Sequence, residues 1–331
     1  MISYFQAIVI GLLQGVTELF PISSLGHTVL LPDWLGWHSV VRAQSADESF
    51  FLAFVVALHV ATALALLAHY RDTWVRIIRG FFRTLGTRRI ESPDERLAWL
   101  LVIGTIPVGV VGLAFEHALR TLFAKPTAAA IFLMVNGAIL FAGERLRRRV
   151  AASGPAGAGG RSELRAPAAS PASPAVGIGA RADLPGAGGT DGRAAPVEGG
   201  PSRSLDTLDL REGLAIGATQ IAALFAGVSR SGVTMVGGLL RGLDHEDAAR
   251  LAFLLATPVI FAAGVYKIPD LTGPLGNGVR GQAVAGGVAA FAAAYLSVRF
   301  LERYFVHRSL NPFAVYCVVA GLASLVRIAV G

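Results

Sequence analysis

The 331-residue chain has one cysteine, Cys317, and two lysines, Lys125 and Lys267. A single thiol excludes disulfides and thiolate metal clusters within one chain. Charge is scarce as well. Asp, Glu, Lys and Arg make up 15% of the residues and hydrophobic residues 53%, where a soluble domain carries about a quarter charged. That excludes an ordinary soluble domain and leaves a polytopic membrane protein. With lysine nearly absent, the formal net charge of +7 rests on arginine, and basicity alone points either to nucleic acid or to a membrane surface. The arginines gather in loops beside apolar spans with no aromatic interleaving, which speaks against a nucleic-acid partner. The N-terminal segment lacks a basic n-region and a small-residue cleavage site, so it is expected to be retained structure rather than a signal peptide.

Six apolar stretches are long enough to cross a hydrocarbon core of about 30 Å: 50–69, 97–115, 127–143, 249–266, 281–298 and 311–330. Two others, 4–36 and 208–243, are interrupted by polar residues, Gly and Pro near their middles. They are expected to be broken-helix hairpins that enter and turn back, which requires protein or water over the freed backbone. Residues 151–204 are mostly Ala, Gly, Pro and Ser with almost no large apolar side chain. Such a segment has too little to bury to offset the entropy of ordering it and is expected to be a disordered tether.

The tether separates two halves, 1–150 and 205–331, that share a pattern. The segments IGLLQGVTELFPISSLG (10–26) and IGATQIAALFAGVSRSG (216–232) align without a gap, matching Ile10/Ile216, Gly11/Gly217, Gln14/Gln220, Ser23/Ser229 and Gly26/Gly232. LAFVVA (52–57) likewise answers LAFLLA (251–256). The loops 71–96, 144–150 and 299–310 hold fourteen basic residues against four in 116–126 and 267–280, so the first set is expected on the cytoplasmic side. Span 50–69 then runs inward and span 249–266 outward. The expected architecture is all-α, an inverted-topology repeat in which each half is a re-entrant hairpin plus three transmembrane helices. Such repeats place a polar site near the bilayer midplane, where the interrupted helices meet.

Within the first hairpin, Gln14 and Glu18 stand at i and i+4 on one helix face, and Pro21 breaks the helix before Ser23, Ser24, Gly26 and His27. A carboxylate at membrane depth needs a charged partner or a wet cavity. His27, three residues after Ser24, is a candidate proton carrier. In the second hairpin AGVSRSGVT (226–234) surrounds Arg230 with Ser229, Ser231, Gly232 and Thr234, and no carboxylate lies within eight residues on either side. Glycines permit a tight turn, hydroxyls donate, and a guanidinium fork matches two phosphate oxygens. One hairpin offers acid, base and alcohol, the other an anion cradle, and the expected substrate is an anionic head on an apolar tail.

These residues carry a resemblance. QGVTELFPISSLGH (14–27) and GVSRSG (227–232) resemble the two signatures of the bacterial undecaprenyl-diphosphate phosphatases, the bacitracin-resistance type of integral membrane enzyme. ALHVATALALL (57–67), FLLATPVI (253–260) and NPFAVY (311–316) extend the likeness over nearly the whole chain outside the tether. The resemblance implies hydrolysis of undecaprenyl diphosphate to the monophosphate and inorganic phosphate at a site facing the outer side of the bacterial plasma membrane. It further implies Glu18, Ser24, His27 and Arg230 as catalytic residues, and Gln14, Ser23, Gly26, Ser229, Ser231, Gly232 and Thr234 at the head group. A divalent cation, Mg2+, on Glu18 and a homodimer are also implied. Gln14 stands where many members have Glu, Ala226 replaces a proline, and Cys317 follows Tyr316 where a basic residue is common. Attack by Ser24 and direct attack by water both fit the sequence. The rival class is a polyprenyl-phosphate flippase or transporter, since alternating access uses the same inverted repeats.

Overall fold

The computed structural model describes residues 2–37, 39–41, 50–115, 125–152, 203–273 and 278–330. These are almost wholly helical, and no β-strand occurs among them beyond an isolated bridge between Arg203 and Leu243. In chain order the helices are α1 (Tyr4–Thr17), α2 (Ser24–Trp34), α3 (Phe50–His69), α4 (Arg71–Thr87), α5 (Pro93–Ala114), α6 (Pro126–Ala152), α7 (Leu210–Thr219), α8 (Arg230–Leu240), α9 (His245–Thr272), α10 (Arg280–Phe305) and α11 (Asn311–Val330). Local chemistry starts several of them. Ser3 with Gln6, Ser92 with Glu95 and Asp209 with Glu212 form reciprocal capping boxes at α1, α5 and α7, each satisfying orphan N–H groups of a first turn. Pro93 opens α5, where its missing N–H costs nothing.

Five of these helices are long and apolar enough to cross a membrane: α5, α6, α9, α10 and α11. The expected spans at 97–115, 127–143, 249–266, 281–298 and 311–330 all fall on them, and most run longer than expected. Large apolar side chains such as Val110, Leu113, Val288, Leu296, Val319 and Leu322 remain exposed. A water-soluble protein would not expose so continuous an apolar surface, whereas lipid covers it at no cost.

The expected span at 50–69 is α3, but the arginine-rich stretch after it is not a loop. It forms α4, bent 89° from the preceding helix. Thr73, Ile77, Gly80 and Thr84 bury one face of α4, while Val75, Ile78, Phe82 and Leu85 stay exposed on another. Arg76 and Arg83 reach Asp94 and Glu95 at the start of α5, both at 3.4 Å. The repeat at i, i+4, i+7 is legible in hindsight, and arginine density hid it.

Of the tether, 153–202 lie outside the described residues. Its edges are ordered: α6 continues to Ala152, and Arg203 is bonded to Glu212, Thr207 and Arg241.

Small residues bring the elements together by an exchange between the two parts of the chain. A Cβ at Gly11 of α1 would strike Gly286 of α10, and one at Gly217 of α7 would strike Gly104 of α5. Gly15 meets Ala290 and Ala293 one turn further along the first pair. At this separation Gly11, Gly15 and Gly217 have no room for a side chain. The breaks that follow α1 and α7 are thereby carried to one place, where Gly26 faces Gly227 with 3.0 Å from a notional Cβ to the opposing Cα.

Candidate active site

Glu18 is the C-cap of α1. Its N–H still closes the helix on the Gln14 carbonyl at 2.9 Å, and three residues later Pro21 ends any continuation because it has no N–H. Ser23 then takes φ 68°, and α2 begins at Ser24. Across the break, Gly227 at φ 113° turns the second hairpin, Ser229 caps α8, and Arg230 is the first residue of that helix.

The side chains of both breaks converge on the Glu18 carboxylate, which is 8% exposed. Arg230 Nη2 donates to Glu18 Oε1, and Ser24 Oγ donates to Oε2. Gln14 Nε2 donates to Oε2 at 3.1 Å, and His59 Nε2, from α3, lies 3.4 Å from the same oxygen. His59 Nδ1 sits 2.8 Å from the Val55 carbonyl, so both ring nitrogens face atoms that only accept, an arrangement that suits the doubly protonated ring. A buried carboxylate is tolerable only with such partners. Two atoms in the cluster have no hydrogen-bond partner among the described residues: Gln14 Oε1 and Arg230 Nη1.

Ser23 joins the hairpins. Its Oγ accepts from Gly26 N at 3.3 Å and from Gly227 N at 3.2 Å. Ser229 Oγ accepts from Gly232 N at 3.2 Å and lies 3.0 Å from Ser231 Oγ. Ser231 in turn reaches the Phe20 carbonyl at 3.4 Å. Thr234 Oγ1 is turned back on the Arg230 carbonyl at 2.8 Å. Of the residues singled out in the sequence, Gln14, Glu18, Ser24 and Arg230 therefore form one cluster, Ser23, Gly26, Ser229, Ser231 and Gly232 build the turns that hold it, and Thr234 serves its own helix.

His27 is placed differently. Its Nδ1 lies 2.7 Å from the Ser23 carbonyl and its Nε2 lies 2.8 Å from the Tyr316 hydroxyl, with the two rings stacked at 5.6 Å. A carbonyl only accepts, so Nδ1 carries a proton; the phenol donates to Nε2 when the ring is neutral and accepts from it when the ring is charged. His59 and Tyr316 were not among the sequence candidates. His59 had a signal, being the only ionisable group in α3 before its terminal His69; Tyr316 had none, since a tyrosine near a helix start is common in membrane spans.

The profile of the family described as Bacitracin resistance protein BacA matches residues 7–181 and 183–323. The chain belongs to the BacA family. Among BacA-like relatives, it is 54% identical to a protein named undecaprenyl-diphosphatase 2 from Frankia alni, over 99% of each chain. A protein named undecaprenyl-diphosphatase from Mycolicibacterium paratuberculosis is 54% identical over 99% of this chain and 98% of its own. One named undecaprenyl-diphosphatase 2 from Burkholderia orbicola is 39% identical over 98% and 96%. The BacA match begins three residues into α1 and ends within α11, so it covers both breaks, four of the five long spans in full and most of the fifth.

Proposed function

We propose that this protein hydrolyses undecaprenyl diphosphate to undecaprenyl phosphate and inorganic phosphate, returning the carrier lipid to cell-wall synthesis and conferring bacitracin resistance. The observation that carries the reading is the meeting of an alcohol, Ser24, and a guanidinium, Arg230, on the two oxygens of one buried carboxylate in a BacA-family chain. The lipid tail stays in hydrocarbon while the diphosphate enters the polar cluster. An inverted repeat is the arrangement that best accounts for the reciprocal packing of α1 on α10 and α7 on α5. With the arginine-rich ends cytoplasmic, the first hairpin opens toward the outer face of the plasma membrane.

In phosphoryl transfer the protein's work is positioning and charge neutralisation. Arg230 Nη1, buried and without a partner among the described residues, is the donor offered to a phosphate oxygen, while Nη2 stays on Glu18. Ser24 Oγ bonds to the terminal phosphorus as its proton passes to Glu18, and the bridging oxygen leaves with undecaprenyl phosphate. Glu18 passes that proton to the departing undecaprenyl phosphate; water then attacks the phosphoserine, its proton going to Glu18 and on to the leaving Ser24 Oγ, and inorganic phosphate is released. In the one-step version, water attacks in place of Ser24 and the same carboxylate takes its proton. His27, its Nε2 held by Tyr316, is the next base along α2.

A divalent cation fits this site only with the substrate's help. Among the described residues no group of three or more His, Cys, Asp and Glu could hold a metal. The carboxylate accepts only, so the Gln14 amide must turn its nitrogen to Glu18, which leaves Oε1 as a buried acceptor without a donor. Mg2+ held mainly by phosphate oxygens and water needs few protein ligands; here Gln14 Oε1 and Glu18 would be the residues to hold it. It would supply charge neutralisation at the leaving phosphate.

The test is phosphate release from undecaprenyl diphosphate by the purified full-length protein. We expect one inorganic phosphate per monophosphate formed, and Arg230→Ala to lower turnover by about 10³-fold or more, as loss of a transition-state arginine does elsewhere. Lipid movement across vesicles without phosphate release would establish the transporter reading instead.

A further inference from the structure

Asn136 lies in the middle of α6 and is fully buried. Its single amide touches both broken helices. Nδ2 donates to the Pro21 carbonyl at 2.9 Å, and Oδ1 accepts from the Ser229 N–H at 3.0 Å. The same Nδ2 lies 3.3 Å from Cys317 Sγ of α11. Pro21 stands between Glu18 and Ser24, and Ser229 immediately precedes Arg230. Each break frees backbone groups that hydrocarbon does not satisfy, and one carbonyl and one N–H are answered by the two ends of one planar group. Because the amide's donor and acceptor are fixed relative to each other, it fixes the two breaks relative to each other too. An apolar residue of similar size would orphan both backbone groups; a carboxylate would keep the acceptor and repel the carbonyl.

We propose that Asn136 is a positioning residue that sets the register between Ser24 and Arg230. It touches no reacting atom and acts through the backbone on either side of the cluster. The inference rests on the reading that Ser24 and Arg230 serve one phosphoryl group.

The experiment is a double-mutant cycle on phosphate release from undecaprenyl diphosphate, using the full-length protein in detergent. Asn136→Leu is combined with Arg230→Lys. We expect Asn136→Leu alone to lower kcat on the order of 10²-fold, the size of effect a misplacement of about 1 Å produces. In the Arg230→Lys background, where the guanidinium fork is already lost, the same change should cost less than about threefold. A general loss of stability would instead lower both backgrounds equally, and equal losses would overturn the proposal, as would an unimpaired single variant. If Arg230→Lys and Arg230→Ala both keep full activity, the function reading fails and not this one alone. Should Asn136→Leu not fold, Asn136→Asp carries the cycle, since it keeps the acceptor for Ser229 and loses the donor to Pro21.

Discussion

The first hairpin turns on a serine and the second on a glycine, and the two contribute opposite charges from positions that do not correspond. In the gapless alignment of 10–26 with 216–232, Ser24 falls on Arg230 and Glu18 on Leu224. Ser24 and Arg230 each begin the helix that follows a break, and each reaches the same carboxylate from its own side. The matched glutamines have parted. Gln14 Nε2 bonds Glu18, while Gln220 Nε2 bonds the Gly104 carbonyl of α5 at 3.2 Å. On the proposed reading, one repeated scaffold supports chemistry on one side and recognition on the other. What the repeat retains is the break and its caps; what it varies is the side chain delivered by the break.

The largest effect should come from removing the carboxylate that the first hairpin places at its break and the second does not. Glu18→Gln takes away the acceptor for the Ser24 proton and the counter-charge to Arg230, so kcat should fall by about 10³-fold or more, the usual scale for a lost base combined with lost electrostatics. Leu224→Ala, the same position in the second hairpin, should change kcat by less than about threefold. Phosphate-release kinetics on both variants decide the matter. Comparable losses would mean that the hairpins share the chemistry evenly.

A smaller effect separates the glutamines. Gln14→Ala removes one charge-assisted hydrogen bond from Glu18, a loss of about 1.5–3 kcal/mol, and should lower kcat by about tenfold or somewhat more. It also removes the orphan Oε1, so the response to added Mg2+ should weaken. Gln220→Ala removes a bond to a carbonyl already inside a helix and should leave kcat within about twofold, with at most about 1 kcal/mol lost in stability. A Gln220 variant as impaired as the Gln14 variant would show that the second glutamine also serves the site.

Much of this site was legible because membrane depth makes polar residues conspicuous. Glu18 and Arg230 stand out in apolar surroundings, and Pro21 and the glycines mark where each helix breaks. The membrane helices were legible from run length alone. Three things were not. His59 and Asn136 are single polar residues on long apolar helices, and no local pattern says which face of a span meets a hairpin. Tyr316 meets His27 from 289 positions away, a proximity that only the packing of α11 beside α2 creates. The amphipathic α4 was read as a loop because its arginines announce topology more loudly than its spacing announces a helix.

The smallest effect concerns the turn itself. Ser23 holds φ 68° with ψ 103°, a conformation that costs a residue with a Cβ about 1–3 kcal/mol and that glycine tolerates. The second hairpin places Gly227 at its own positive φ, where a Cβ would run into Ala129 and Leu133. At Ser23 the serine is retained because its Oγ accepts from both Gly26 and Gly227, tying the two breaks together in a way that glycine cannot. Ser23→Ala keeps the strain and loses both hydrogen bonds. Ser23→Gly loses the same bonds and removes the strain, less the few tenths to 1 kcal/mol that glycine's freer unfolded chain takes back. The glycine variant should therefore melt higher than the alanine variant by an amount equivalent to about 1 kcal/mol, and both should melt below the parent protein. Thermal midpoints of the three proteins in one detergent measure this ordering. An alanine variant as stable as the glycine variant would remove strain from the account of the first turn and make the two hairpins differ in side chains alone.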